Sequence, residues 1–475
     1  MATKKDLVEA HAFSRRRLVT AFVSGAPGGR EVEPVRPGRV LIGGIALSVL
    51  LLAGAAIAGF LLGRPPAQWL DANSFVISKD TGEQYVVLRG GDNPQLQRVP
   101  NYVSAQLLLG SSELTPYTVR DKYIRTVQLG PDLGIEGAPA GLPSVDELVD
   151  EGWTACTADG AGIKVAIQQT PAVDDLVDSA FLVSNEGEEW LIATAPAVGS
   201  QQGRAYRFPM PADATSASTI GNRLGFDASA IEVDEDWLNL FPPGAALEKS
   251  AFGVTAEGQR VPYADADNGL SRYRIGDLLL SESGKYYLLG DEGPETLKAF
   301  AGMVYDVVGS GAKPVPIDLA AEFEDIRHPE EWPVELPAAV DNGGLCGVLH
   351  PEAGADPAVS LATNPTGAAD PVEPDPIRRG RHAVEVEPSA GAYVLSGSNA
   401  AADGGTPYVI DTKGAKYHLI GPEVPEYIGY ADVDPPLVPS TWLEFFSPGV
   451  PLSTNSARRL PVDAPPADAE ADSGS

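Results

Sequence analysis

Residues able to carry chemistry are scarce in this 475-residue chain, which has two cysteines and five histidines. His11, His328, His350, His382 and His418 show neither metal-ligand spacing nor an HExxH arrangement, so a zinc hydrolase has no ligand set. The serines of LGSSEL and VGSGAK lack the GxSxG elbow, and no cysteine is paired with a histidine as a nucleophile. A Gly-rich stretch from Gly309 to Lys313 lacks the GxxxxGK[ST] order that wraps phosphates, and Lys285 belongs to a turn. The acidic runs at 232–237 and 265–269 do not complete a twelve-residue calcium loop ending in Glu. No catalytic residue, cofactor or metal is therefore assigned, and an enzyme is not expected.

Basic residues are in the minority, 34 against 65 acidic ones, for a net charge of -31. They crowd the start of the chain, where Lys4, Lys5, Arg15, Arg16, Arg17, Arg30, Arg36 and Arg39 outnumber Asp6, Glu9, Glu31 and Glu33. The remainder is strongly acidic, which argues against nucleic acid as a partner.

Long apolar runs are lacking too, with one exception. Residues 40–62 read VLIGGIALSVLLLAGAAIAGFLL between Arg39 and Arg64. As a helix this run is about 35 Å long, so it predicts a single membrane span. The positive-inside bias then keeps residues 1–39 cytoplasmic and exports the rest. The expected location is the plasma membrane, single-pass, with an extracytoplasmic C-terminal domain. Within residues 1–39, Lys5 to Ser24 predicts a basic amphipathic helix near the inner membrane face. Ala55, Gly59 and Gly63, four apart, predict close packing of the span on a neighbouring helix.

Cys156 and Cys346 both fall in the part expected to be exported. An oxidising compartment permits a disulfide, and an even count leaves one intramolecular pairing. Free or intermolecular thiols are the alternative.

Four segments share an apolar strand, a polar turn with Gly, and an aromatic residue three positions on: FVISKDTGEQYVVL, FLVSNEGEEWLI, LLLSESGKYYLL and YVIDTKGAKYHLI. Their glycines are Gly82, Gly187, Gly284 and Gly414, and their aromatics Tyr85, Trp190, Tyr287 and Tyr417. Each predicts a β-hairpin whose Gly takes a turn conformation costly for other residues. A short helix is expected after each one, in NYVSAQLLLG, STIGNRLGF, TLKAFAGMVYDVVG and PEYIGY. A further motif, WLxxFxPG, begins at Trp237 and again at Trp442.

The expected fold is a single-pass membrane protein with a mixed α+β exported region: four small hairpin-plus-helix repeats around a central β-rich domain. The expected boundaries are 1–39 for the basic helix and linker, 40–62 for the membrane helix and 63–115 for the first repeat. Residues 116–175 hold a central part with the first cysteine, 176–250 the second repeat, 251–315 the third, and 316–350 a central part with the second cysteine. A flexible acidic Pro-rich loop is expected over 351–380, the remaining central segment and fourth repeat over 381–460, and a disordered tail over 461–475. The central domain is expected to assemble from GIKVAIQ, IEVDEDW, MVYDVVG and HAVEVEP.

The order of HAFSRRRLVTAFVSG, the apolar run, FVISKDTGEQYVVL, four spaced hairpins, WLxxFxPG and two cysteines resembles the EccB family, a core component of actinobacterial type VII secretion machines. That resemblance covers nearly the whole chain. It implies a structural subunit linking an FtsK/SpoIIIE-like motor ATPase and a many-span channel protein to an outer scaffold that associates with copies of itself. It further implies that Arg15, Arg16, Arg17 and Phe22 serve the cytoplasmic contact, that Ala55, Gly59 and Gly63 pack the span, and that Cys156 with Cys346 hold the outer body. ATPase activity has been attributed to members of the family, without a supporting phosphate motif here. The remaining alternative is an independent membrane-anchored cell-wall-binding protein using the four repeat aromatics.

Overall fold

The computed structural model describes residues 3–24, 37–61, 65–157, 162–196, 203–227, 229–264, 269–309, 311–315, 328–340, 344–364, 377–400 and 404–461. It divides into two compact units, Met1–Ala67 and Gln68–Ser475.

The first unit holds two helices, Lys4–Ser24 and Pro37–Leu61. The expected single membrane span is not upheld, because among the described residues no helix is long and apolar enough to cross a membrane. The single-pass fold class, the transmembrane assignment and the plasma-membrane topology built on it are corrected accordingly. Ala55 and Gly59 lie where no side chain is described, and Gly63 lies outside the described residues. What stands is the mixed α+β architecture.

The second unit is built from five sheets. Four are copies of one module: a three-stranded antiparallel meander, a helix, then a strand that returns parallel to the first. In module one the strands are Ser74–Ser78, Gln84–Arg89 and Gln95–Val99, the helix is Tyr102–Leu109, and the return strand is Pro116–Val119. Module two runs Ser179–Asn185, Glu188–Thr194, Ala205–Pro209, helix Ala214–Leu224, return Ile231–Glu232. Module three runs Leu278–Ser281, Tyr286–Leu289, Pro294–Leu297, helix Ala299–Val308, return Ala312–Val315. Module four runs Ala392–Gly397, Thr406–Ile410, Ala415–His418, helix Val424–Tyr427, return Leu437–Pro439.

Local chemistry ends these helices where the meander needs them to end. Asn101 caps module one's helix by accepting from Ser104 N, and Asp213 caps module two's from Ser216 N. Gly110 and Gly225 close the same helices in the left-handed region, at φ 63 and 92.

The fifth sheet is central and six-stranded. Its core is two hairpins, Trp153–Thr157 with Ile163–Ile167 and Gly344–His350 with Ala358–Asn364. They join through their first strands, which run antiparallel. Residues 358–364 thus form a strand inside the stretch expected to be a loop, because Val359 and Leu361 alternate into the main core. Residues 365–376, the rest of that Pro-rich stretch, lie outside the described residues, as do 462–475.

In chain order, each hairpin stands between two modules: one, hairpin, two, then three, hairpin, four. The packing crosses between these halves. Module one packs on module four, with Val103, Leu107 and Val86 against Tyr417, Val424 and Tyr430. Module two packs on module three, with Ile220 and Leu224 against Phe300 and Val304. Modules two and four also share the core of the central sheet. Period-two alternation makes this possible: Phe181 and Val183 face the central sheet while Ala180 and Leu191 face module three. Likewise, Ala392 and Val394 face the central sheet while Tyr393 and Val409 face module one.

Candidate functional site

Functional weight falls on the joints that hold modules to the centre. Cys156 and Cys346 are directly opposite in the central sheet and are disulfide-bonded. The register places 155 opposite 347 and 153 opposite 349, so the bond lies on a local twofold axis relating the two hairpins. Both sulfurs are buried beside Val348 and Ala362, on the face of the sheet away from the modules.

The two WLxxFxPG motifs are equivalent joints on either side of that axis. Each follows a return strand, forms a short helix, Glu235–Leu238 or Ser440–Leu443, and then lies beside the third strand of its module. Trp237 and Trp442 enter the central core together with Trp153, Phe241 and Phe446. Trp237 Nε1 donates to Ala155 O at 2.9 Å, whereas Trp442 Nε1 finds no partner among the described residues.

The glycine ending each motif admits no side chain. A Cβ on Gly244 would stand 2.3 Å from the Phe208 ring, and one on Gly449 2.4 Å from the Tyr417 ring. Both glycines donate to the third strand, Gly244 N to Arg207 O and Gly449 N to Lys416 O. Module one carries the same joint without its Trp: after Asp121–Ile124, Gly130 N donates to Leu96 O.

A cation stabilises each inner joint. Lys416 Nζ donates to Leu443 O at 2.6 Å, at the end of the short helix, and Arg207 donates to Asn239 Oδ1. Burial pulls both below their ordinary pKa, opposed by Glu444 and Glu235 respectively. Arg207 also lies over the Trp190 ring, 5.6 Å from its centroid.

Gly82, Gly187 and Gly284 turn the first hairpins of modules one to three with positive φ. Gly414 also has positive φ but turns the second hairpin of module four, between its second and third strands. The aromatics divide in the same way. Tyr85, Trp190 and Tyr287 stand opposite Val76, Val183 and Leu279 of the first strands. Their counterpart in module four is Tyr408, opposite Val394. Tyr417 faces the other way, into the core shared with module one. Tyr408 was legible in principle, as the aromatic of TPYVI preceding a strand-turn-strand that already had one.

These aromatics are not a sugar-binding platform. Tyr85, Tyr287 and Tyr417 are 5, 3 and 6% exposed. The Tyr85 hydroxyl donates to Glu83 at 2.6 Å, and burial with that carboxylate lifts its pKa to about 12. Burial and Asp411 do the same to Tyr417, again to about 12. Trp190 is half-buried beneath Arg207.

Nor do the lysines of the Gly-rich stretches form a phosphate cradle. Lys313 lies in module three's return strand and pairs with Asp277 at 2.6 Å, and Lys285 follows the Gly284 turn, its N–H donating to Ser281 Oγ. A cleft of about 820 Å³ lies between module two and the turn of the second central hairpin. Asp150, Glu151, Glu330, Glu331, Glu352 and Asp356 line it beside Arg204 and His350, a charge that repels nucleotides. No carboxylate, histidine or cysteine group able to hold a metal occurs among the described residues.

Arg15, Arg16, Arg17 and Phe22 lie on the Lys4–Ser24 helix, in the first unit.

Comparison with known proteins gives three kinds of likeness. A family model described as type VII secretion system ESX-1, transport TM domain B, matches residues 1–464. ESX-1 secretion system ATPase EccB1 of Mycobacterium tuberculosis is 31% identical over 204 residues, 40% of this chain and 41% of that protein. ESX-5 secretion system ATPase EccB5 of the same organism is 29% identical over 127 residues, 26% of this chain and 23% of that protein. The match to these curated relatives therefore spans less than half their length. A chain of an intact ESX-5 inner membrane complex has a TM-score of 0.58 at 21% identity, covering 98% of both chains. An EccB3 dimer from the ESX-3 core complex gives 0.58 at 18%, covering 81% of this chain and 100% of that one. At such identities the structural likeness establishes the fold.

Proposed function

Because this chain belongs to the EccB family of type VII secretion proteins, we propose that it is a structural core subunit of such a secretion complex and performs no catalysis itself. The observation carrying this reading is the family match over residues 1–464. Crossed packing about one disulfide suits a body that transmits and resists force.

The partners follow from the same reading. They are an FtsK/SpoIIIE-like ATPase, a many-span channel protein and further copies of this chain, with Arg15, Arg16, Arg17 and Phe22 on the contacting helix. The relatives' names carry the word ATPase. Here no phosphate-wrapping motif occurs in the sequence, and Lys313 is engaged by Asp277.

The test is purification of the full chain from its native host in mild detergent, beside a variant lacking residues 1–39. Co-purification of an FtsK-like ATPase and a many-span protein, weakened by the deletion, is the expected result. Recovery of the isolated chain from both preparations would overturn the reading.

A further inference from the structure

Sheet edges in this molecule are blunted, with one exception. A terminal strand offers a row of N–H and C=O groups to any extended chain, and short length or a proline closes it. Among the described residues, the terminal strands of the four module sheets contain Pro116, Pro209, Pro294, Pro314 or Pro439, or are two or three residues long. One end of the central sheet is the two-residue acidic strand Asp174–Asp175. The other end is His382–Val386, which has no proline and runs parallel to Ile163–Ile167.

Hydrogen bonds fix which way its backbone faces. Ile163 N donates to Arg381 O, and Glu387 N donates to Ile167 O, with 382 beside 163 and 386 beside 167. Alternate residues bond across a parallel ladder, so Ala383 and Glu385 turn inward while His382, Val384 and Val386 present N–H and C=O outward. No described strand pairs with that outer edge.

Charge names the occupant. Arg378 and Arg381 are exposed at the start of the strand, and Lys413 is exposed on the module four turn whose Gly414 lies against Val384. Arg379 is held by Glu232 and Lys164 by Glu385, whereas Arg378, Arg381 and Lys413 make no ion pair among the described residues. In a chain of net charge -31, these cations around the one unblunted edge call for carboxylates. Antiparallel pairing with the same strand of a second copy, centred on Val384, would bring two Gly414 turns onto one axis. A lone extended segment meets only one.

We propose that His382–Val386 is a strand-addition site for an extended, carboxylate-bearing segment of a partner protein. Its backbone bonds to His382, Val384 and Val386, and its carboxylates face Arg378, Arg381 and Lys413. The inference rests on the core-subunit reading and specifies where one partner docks.

The test compares hydrogen exchange in the full chain purified alone and in the complex recovered from the native host in mild detergent. The amides of His382, Val384 and Val386 are expected to exchange at least about tenfold more slowly in the complex. Benzoylphenylalanine at position 383 should crosslink to an Asp- or Glu-rich segment of a different subunit. Val384→Pro removes an outward N–H and spares the inner ladder. This variant and Arg381→Glu should each lower recovery of that subunit several-fold, with the Cys156–Cys346 bond still formed. Unchanged exchange in an intact complex, a crosslink to a second copy of this chain, or full recovery with both variants overturns the proposal and leaves the core-subunit reading standing. Recovery of the isolated chain alone overturns both.

Discussion

Cys156 and Cys346 face each other across the central sheet with their Cα atoms 4.0 Å apart, and each sits on the first strand of its own hairpin. The bond closes a loop of 190 residues. Removing such a loop constraint costs up to about 5 kcal/mol on the chain-entropy model. The Cys156→Ser, Cys346→Ser double variant is expected to unfold at markedly lower denaturant. Each single variant should match the double, since either alone opens the loop. An unchanged midpoint in urea would show that the crossed packing alone restrains the unfolded ensemble.

Because modules one and four, and two and three, pack across the halves, neither half has its full core. Module one without module four exposes Val103 and Leu107, and module three without module two exposes Phe300 and Val304. Separate chains covering 65–264 and 269–461 are expected to assemble into one soluble, disulfide-linked body when co-expressed, and to aggregate when made alone. A folded, monomeric single half, seen by heteronuclear NMR, would refute the crossed arrangement.

The repeat was readable from the sequence because Gly82, Gly187 and Gly284 each mark a turn that a helix cannot share. Its fourth copy was misaligned by one strand because TKGAKY, in the second hairpin, imitates the first hairpin of the other modules, while the true first turn falls in the less patterned stretch near Gly404 and Gly405. GIKVAIQ and HAVEVEP do enter the central sheet. IEVDEDW instead supplies module two's return strand, since alternation cannot say which of two cores a strand faces, and MVYDVVG lies in module three's helix. The pairing of module one with module four is a long-range packing choice that local pattern does not encode.

The WLxxFxPG joints give a graded test. Gly449→Ala and Gly244→Ala force a methyl into the Tyr417 and Phe208 rings, and overpacking of this kind costs about 1–3 kcal/mol. Gly187→Ala meets open space, so it pays only for its φ of 89, about 1 kcal/mol. Urea midpoints should fall in that order. Equal losses at all three positions would show that the rings yield to the methyl and that ring contact is not the reason for the motif's glycine.

Trp237 and Trp442 occupy matching places with different hydrogen bonding, so Trp→Phe separates packing from polarity. At 237 the change removes the donor to Ala155 O, and at 442 it removes a buried N–H that lacks a partner among the described residues. Losing a satisfied bond costs about 1 kcal/mol, and deleting an unsatisfied donor relieves a desolvation penalty. Trp237→Phe should therefore destabilise more than Trp442→Phe by about 1–2 kcal/mol in chemical denaturation. The reverse order would locate an ordered water on Trp442.

His350 supplies a pH signature. Burial lowers its pKa, opposed more weakly by Asp175 and Glu151, while Ser360 Oγ sits 2.8 Å from its Nε2. With the folded value below the unfolded one near 6.5, the unfolded chain binds the extra proton first. Stability from this group is therefore complete above about pH 6.5 and declines as pH falls toward the folded value. His350→Gln, which cannot titrate, should flatten the stability profile below about pH 6.5 while leaving it unchanged near pH 8, apart from a constant offset. Parallel profiles for the two proteins would show that His350 does not shape the acid limb.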